Sequence, residues 1–97
     1  MKNIAGLFKS EVIKKILLFF NENPHSIDTA KGISIWIDCD LKAVQNALNK
    51  LVKNGILINH KTSSIDAYSY TNQREIIKKV ERYVKNSLEL KSGKRRI

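Results

Sequence analysis

The sequence predicts one small domain of the α+β class, mostly α. Four segments carry apolar residues at spacings of three and four, which is typical of amphipathic helices. Two shorter segments in the second half are rich in residues that favour strands. The chain has 97 residues, of which 42% are hydrophobic. That is enough for one modest core made by three or four helices and a small sheet.

The first helix is predicted from Ser10 to Asn21. Ser10 is a suitable N-cap, and the acid Glu11 suits the first helical turn. A wide apolar face indicates that this helix is central to the core. Its members are Val12, Ile13, Ile16, Leu17, Phe19 and Phe20. The only proline, Pro24, marks the turn that follows.

The second helix is predicted from about Asp28 to Ile37. Either Asp28 or Ser26 would cap it. The residues expected to face inward are Ala30, Ile33, Trp36 and Ile37. A tight turn at residues 38–40 then leads to the next helix.

The third helix is predicted over residues 41–54, with Asp40 as its N-cap and Gly55 in the left-handed conformation at its end. Its inner face is apolar: Leu41, Val44, Ala47, Leu48, Leu51 and Val52. Its outer face is polar and contains no acid: Lys42, Gln45, Asn46, Asn49, Lys50 and Lys53. Lysine neutralises phosphate, and Asn and Gln amides can bind base edges in the major groove.

Two strands are predicted at residues 56–60 and 67–71, joined as a hairpin by a polar loop. The last helix is predicted from Asn72 to about Leu90, with Glu75 as a capping-box partner. Its apolar stripe is Ile76, Ile77, Val80, Tyr83, Val84, Leu88 and Leu90. Residues 1–90 are therefore predicted to form one domain. Residues 91–97 are basic and are predicted to be a disordered tail.

The charge of the chain favours a polyanionic partner. There are 18 Lys and Arg against nine Asp and Glu, a formal net charge of +9. Nucleic acid is the first candidate, and an anionic membrane surface is the second. Alternatively, the lysines only serve solubility. The positive charges cluster along the chain rather than spread evenly, which favours a binding role.

Several functional classes find no support in the sequence. Cys39 is the only cysteine, so a disulfide within the chain is excluded and a reducing, cytoplasmic setting is expected. His25 and His60 are far apart in sequence and predict no metal site. No run approaches the roughly 20 apolar residues of a membrane-spanning helix. No catalytic Ser/His/Asp set or phosphate-binding glycine loop is present, so neither an enzyme nor a cofactor is predicted.

Two helices joined by a tight turn and followed by a hairpin resemble the winged helix-turn-helix superfamily, in the broad style of the MarR- and ArsR-like prokaryotic transcriptional regulators. Residues 29–37 resemble the second helix of that fold, residues 40–51 its recognition helix, and residues 52–57 the exit into the wing. The chain departs from the ArsR-type metal sensors because Cys39 is alone. The wing also carries few arginines.

The resemblance implies binding of double-stranded DNA, with residues 41–54 in the major groove and the wing at residues 56–71 on the backbone or in the minor groove. Asn and Gln are the candidates for base contacts, and lysines for phosphate contacts. The candidate DNA-binding residues are Lys31, Ser34, Lys42, Gln45, Asn46, Asn49, Lys50, Lys53, Lys61, Thr62 and Ser63. Both the second helix and the wing tip contribute to this set.

The last helix suggests a homodimer, because the predicted core leaves little to cover its stripe. The candidate interface residues are Ile76, Ile77, Val80, Tyr83, Val84 and Leu88. Alternatively, this helix folds back onto its own domain. The function also has an alternative, a winged-helix protein-interaction module without DNA affinity. A third reading, binding of RNA or single strands, requires exposed aromatic residues for stacking.

Overall fold

The computed structural model describes residues 4–92, with the side chains of residues 6–85 except Phe8. A short 3₁₀ helix precedes four α-helices and three strands. In chain order these are the 3₁₀ helix Ile4–Lys9, α1 (Glu11–Glu22), β1 (Ile27–Thr29), α2 (Ala30–Ile37), α3 (Leu41–Lys53), β2 (Leu57–Lys61), β3 (Asp66–Tyr70) and α4 (Arg74–Ser92). The predicted fold class, mostly helical with a small sheet, is confirmed.

Helix α1 is the centre of the core, as predicted. Ser10 caps it, since the Ser10 side chain accepts a hydrogen bond from the Ile13 N–H at 3.2 Å. Ile16, Leu17 and Phe20 have no exposed surface. Burying each such side chain contributes about 1.5–3 kcal/mol, so this face fixes the positions of the helices around it.

The sheet has three antiparallel strands in the order β1-β3-β2. The predicted hairpin is confirmed as β2 and β3, which pair from Leu57 with Tyr70 to Lys61 with Asp66. Strand β1 was not predicted. It has only three residues, too few for an alternating pattern to be recognised, and it pairs with the other side of β3.

The start of α2 differs from the prediction because Thr29 ends β1 and also caps the helix. The Thr29 hydroxyl accepts a hydrogen bond from the Gly32 N–H at 3.1 Å. Asp28 instead accepts a bond from the Thr29 N–H at 2.8 Å. The prediction that Asp28 or Ser26 is the cap is therefore wrong.

Helix α2 also faces the core differently from the prediction. Ile33 is fully buried, but Trp36 is 70% exposed and Ile35 is 71% exposed. The prediction that Trp36 faces inward is wrong. Its ring lies on the flank of α1, with its centroid 5.8 Å from that of Phe19.

Helix α4 begins at Arg74, two residues later than predicted. At this end of the helix, the Gln73 carbonyl accepts a hydrogen bond from the Ile77 N–H at 3.1 Å. The side chains of Ile76, Val80 and Val84 belong to the main core. The helix continues to Ser92, and residues 93–97 of the predicted tail lie outside the described residues. No helix in the described part of the chain is long and apolar enough to cross a membrane.

Candidate nucleic-acid interface

A three-residue turn joins α2 to α3 and fixes the angle between them. Asp38 adopts the left-handed conformation with φ of 56°, which Asp tolerates better than most residues. The Cys39 N–H donates to the Ser34 carbonyl at 3.0 Å. Asp40 caps α3, accepting a bond from the Ala43 N–H at 3.1 Å, as predicted. Its carboxylate therefore occupies the helix N-terminus, where a phosphate would otherwise be attracted.

The inner face of α3 packs on α1 and α2. Val44, Leu48 and Leu51 are fully buried, and Ala47 is nearly so. Val52 is partly buried against the same core. Leu41, in the first turn, is 39% exposed and contributes less to the core than its place in the apolar pattern predicted.

The outer face of α3 presents all six predicted polar side chains to solvent. These are Lys42, Gln45, Asn46, Asn49, Lys50 and Lys53. Their helical spacing puts them on one side of the helix. No acid occurs within α3.

The three amides of this face make no hydrogen bond within the described part of the chain, whereas three asparagines elsewhere do. Asn23 donates to the Phe19 carbonyl at 2.9 Å, and Asn54 donates to the Lys50 carbonyl at 2.8 Å. Asn59 donates to the Asp66 carboxylate at 2.7 Å. The donors and acceptors of Gln45, Asn46 and Asn49 are consequently available to a ligand.

Gly55 ends α3 and leads straight into the hairpin. Its φ of 75° is left-handed, as predicted. The Gly55 N–H donates to the Val52 carbonyl at 3.0 Å, and the Ile56 N–H donates to the Leu51 carbonyl at 2.9 Å. This pair of bonds is the Schellman motif. It sets the direction of β2 from the last turn of α3.

The hairpin tip has a defined internal structure. The Thr62 N–H donates to the Ile65 carbonyl at 2.7 Å. The Thr62 hydroxyl accepts bonds from the Ser64 N–H at 3.3 Å and the Ile65 N–H at 3.0 Å. Thr62 is exposed, but its hydroxyl therefore shapes the tip. Lys61 and Ser63 are exposed beside it.

The two candidates on α2 have different environments. Lys31 is exposed. Ser34 is only 8% exposed, and its hydroxyl donates to the Lys31 carbonyl at 2.7 Å. The structure therefore removes Ser34 from the candidate DNA contacts, because the hydroxyl is buried and already bonded within the helix.

Three of the predicted dimer-interface residues need correction as well. Ile76, Val80 and Val84 are at most 8% exposed in the single chain, so they serve its own core. Ile77 and Tyr83 are partly buried against that core. The side chain of Leu88 lies outside the described residues.

Sequence reasoning missed a basic surface on α4. Arg74, Lys78, Lys79, Arg82 and Lys85 are all exposed. The apolar stripe of this helix drew attention away from them, although five cations against Glu75 and Glu81 could have been counted. In the described part of the chain, no group of three or more His, Cys, Asp or Glu side chains could hold a metal ion.

Two tyrosines of β3 have raised pKa values. Burial raises the pKa of Tyr68, and the nearby Asp66 carboxylate adds to the effect. Burial, with a smaller effect from Glu81, raises the pKa of Tyr70 to about 12. The Tyr70 hydroxyl is buried and has no hydrogen-bond partner among the described residues. Both side chains are therefore neutral phenols at physiological pH and add no negative charge to β3.

A helix-turn-helix whose second helix leads into a hairpin of a small antiparallel sheet has the winged helix-turn-helix fold. The chain is similar to a MarR family protein from Bacillus stearothermophilus, with a TM-score of 0.60 and 12% identity, over 88% of this chain and 60% of that one. It is similar to a transcriptional regulator from Thermotoga maritima, with a TM-score of 0.58 and 16% identity, over 87% of this chain and 60% of that one.

A third similar structure is a possible transcriptional regulator from Methanosarcina mazei, with a TM-score of 0.61 and 18% identity, over 96% of this chain and 90% of that one. No protein-family model and no curated protein matches the sequence. The chain spans 60% of the length of the Bacillus protein. At these identities the comparisons establish the fold, and the function is argued from the site.

Proposed function

We propose that this protein is a transcriptional regulator that binds double-stranded DNA sequence-specifically. Helix α3 lies in the major groove, and the wing lies on the backbone or in the minor groove. The single observation that carries the proposal is the outer face of α3. It combines lysines with amides that have no partner within the described part of the chain, and α3 contains no acid.

The lysines of this face supply affinity that does not depend on sequence. Lys42, Lys50 and Lys53 are exposed and unpaired within the described residues. Each phosphate that a lysine neutralises releases counterions, so the affinity falls with salt at a log-log slope of about −0.9 per phosphate. Lys31 and Lys61 extend this set onto α2 and the wing.

The amides supply sequence preference. An Asn or Gln side chain can form two hydrogen bonds with the edge of adenine, and each good pair contributes about 1–3 kcal/mol of discrimination. Gln45, Asn46 and Asn49 are exposed on the same side of α3. Because these amides have no hydrogen bond within the described part of the protein to break first, all their donors and acceptors can bind bases.

The test is fluorescence anisotropy with a labelled duplex and a matched single strand, from about 50 to about 200 mM salt. We expect preference for the duplex and a steep loss of affinity with salt. Lys50→Glu should weaken binding to every duplex, because it places an acid on the proposed phosphate-contacting face. Lys79→Glu, on α4, is the matched control, since it makes the same change of charge at another exposed position.

Equal losses for the two variants would show that net charge alone drives binding, and the assignment of α3 would be wrong. Absence of duplex binding at either salt concentration would overturn the whole proposal. It would favour the alternative, a protein-interaction module, for which the exposed side chains of Ile35 and Trp36 provide an apolar surface.

A homodimer through α4 stays part of the proposal, but with fewer candidate interface residues. It now depends on Ile77 and Tyr83, which are partly buried, and on the part of the helix beyond residue 85. Two recognition helices related by a two-fold axis would reach successive major grooves about 34 Å apart. Sedimentation of Ile77→Glu, measured against the unchanged chain, tests whether this face associates.

A further inference from the structure

The basic surface on α4 has no role in the proposed binding of DNA by α3 and the wing. Four of its cations recur at spacings of four, four and three residues, and all are exposed: Arg74, Lys78, Arg82 and Lys85. At about 100° of rotation per residue, these side chains fall within an arc of about 80° on one side of the helix. They extend over about 16 Å of its length. We call this set the α4 stripe.

The charges of the α4 stripe are not neutralised within the described part of the chain. The one ion pair described there joins Lys14 to Glu11 at 3.4 Å. Glu75 and Glu81 lie at the two edges of the arc and form no ion pair with the stripe among the described residues. The stripe therefore keeps its positive charge for a partner.

The α4 stripe and the outer face of α3 lie on different sides of the molecule. Helix α4 buries Ile76, Val80 and Val84 in the core, which puts the stripe on its outward side. It packs on α1 and the 3₁₀ helix, whereas α3 packs on α1 and α2. Because α1 separates the two helices, a duplex bound along α3 leaves the stripe open to another partner. Ile77 and Tyr83, the remaining candidates for a homodimer contact, lie outside the arc, so that contact would not use the stripe.

We propose that the α4 stripe is a second binding surface for double-stranded DNA, so that one chain bridges two duplex segments. Helix α3 binds the first segment, and this part rests on the proposed function. The stripe contacts the phosphates of the second segment and makes no base contacts. A row of Lys and Arg neutralises several phosphates, and the release of their counterions supplies the affinity.

The composition of the α4 stripe favours a duplex over other partners. Protein interfaces are built around a buried centre rich in apolar and aromatic side chains, whereas the arc between Arg74 and Lys85 contains only Arg and Lys. Single strands are held by aromatic side chains on which the bases stack, and this arc contains none. A row of cations alone matches the uniformly charged backbone of a duplex.

A capture experiment tests bridging directly. A duplex of arbitrary sequence is attached to beads, the full chain is added, and the capture of a second, fluorescent duplex is measured from about 50 to about 200 mM salt. We expect the unchanged chain to capture the second duplex. Lys78→Glu and Arg82→Glu should each weaken capture and make its log-log salt slope shallower by about 1, because one phosphate contact is lost.

The residue next to Lys78 provides a matched control. Lys79→Glu makes the same change of charge at a neighbouring exposed position, but its side chain points about 100° away from that of Lys78 and outside the arc. This variant should capture the second duplex like the unchanged chain. Circular dichroism checks that each variant is folded.

A second readout separates this inference from the proposed function. Anisotropy with a single labelled duplex should depend mainly on Lys50 and change little in Lys78→Glu. In the Lys50→Glu chain, in which α3 binds weakly, the remaining affinity should fall further when Lys78→Glu is added and should be unaffected when Lys79→Glu is added. Single-duplex binding that depends on Lys50, without capture of a second duplex, would overturn the inference and leave the proposed function intact. No duplex binding at all would overturn both.

Two further results would overturn the inference. One is an equal loss of capture in Lys78→Glu and Lys79→Glu, which would mean that net charge alone causes bridging. The other is capture that Lys50→Glu abolishes and that both Lys78→Glu and Arg82→Glu leave unchanged. That result would assign bridging to the recognition helices of two protomers.

Discussion

The outer face of α3 and the wing are both exposed and polar, yet they use their polar groups in opposite ways. On α3, Gln45, Asn46 and Asn49 have no partner in the described part of the chain. In the wing, Asn59 donates to the Asp66 carboxylate at 2.7 Å and to the Ala67 carbonyl at 3.0 Å. His60 lies within hydrogen-bond distance of the Ser69 hydroxyl, at 2.7 Å.

The difference follows from the backbone. A helix satisfies its own N–H and C=O groups, so an exposed helical side chain can bond only to neighbours three or four residues away, and the amides of α3 have no such bond among the described residues. A hairpin brings side chains of neighbouring strands close together, and these bond to one another. Asp66 illustrates this, because its carboxylate accepts a hydrogen bond from Asn59 on the neighbouring strand. Polar composition alone therefore overstates how many polar groups of the wing are available to a ligand.

The largest expected effect concerns Asn46. Asn46→Ala should reduce the preference for a site selected from random duplexes by about 1–3 kcal/mol, because one amide pair to a base is lost. Affinity for a generic duplex should change little. The measurement is competition between the selected and a scrambled duplex. Asn72→Ala, at an exposed position outside α3 and the wing, is the control, and equal effects of the two would remove Asn46 from the base contacts.

Asn59 should behave in the opposite way. Asn59→Ala removes two hydrogen bonds within the hairpin and should lower the free energy of unfolding by about 1 kcal/mol. Its effect on generic duplex affinity should be small below the unfolding transition. Urea unfolding and anisotropy measure the two quantities separately. A large loss of DNA affinity with unchanged stability would mean that Asn59 is a contact after all.

The smallest effect is expected at Tyr70, whose hydroxyl is buried rather than exposed and has no hydrogen-bond partner in the part of the chain that the structure describes. Tyr70→Phe should raise the free energy of unfolding by up to about 1 kcal/mol, because an unsatisfied buried group is removed. Thermal unfolding near neutral pH measures this. A lower stability of the variant would reveal a partner for the hydroxyl.

The same residue gives an expectation for alkaline pH. The pKa of Tyr70 is raised from 10.0 to about 12, so ionisation is harder in the folded chain than in the unfolded chain. The unfolded state loses its proton first. The stability from the neutral phenol is therefore complete below pH 10 and is lost as the pH rises towards about 12. Tyr70→Phe should show a smaller loss over that interval.

Elements marked by local chemistry were predictable from the sequence. Ser10, Asp40 and Gly55 act within one or two turns of their own position, and all three serve as predicted. The six outer residues of α3 were also placed correctly, because a helix of 13 residues with a clear apolar side has only one way to face the core.

The predictions failed where the local sequence pattern fits more than one arrangement. Helix α2 has eight residues, and apolar side chains occur all around it, so periodicity could not tell Ile33 from Trp36. Strand β1 exists only because β3 offers it an open edge, which is information from a distant part of the chain. The inward stripe of α4 was recognised, but whether it would cover its own core or a partner depended on the final packing.

Ile56 connects three parts of the molecule through its backbone. Its N–H is bonded to the Leu51 carbonyl in α3 at 2.9 Å, and its carbonyl accepts from the Thr71 N–H just before α4 at 3.0 Å. The side chain is fully buried. The end of α3, the start of the hairpin and the segment before α4 are therefore held together at one residue. We therefore expect that a tilt of α4 relative to the sheet would change the orientation of α3.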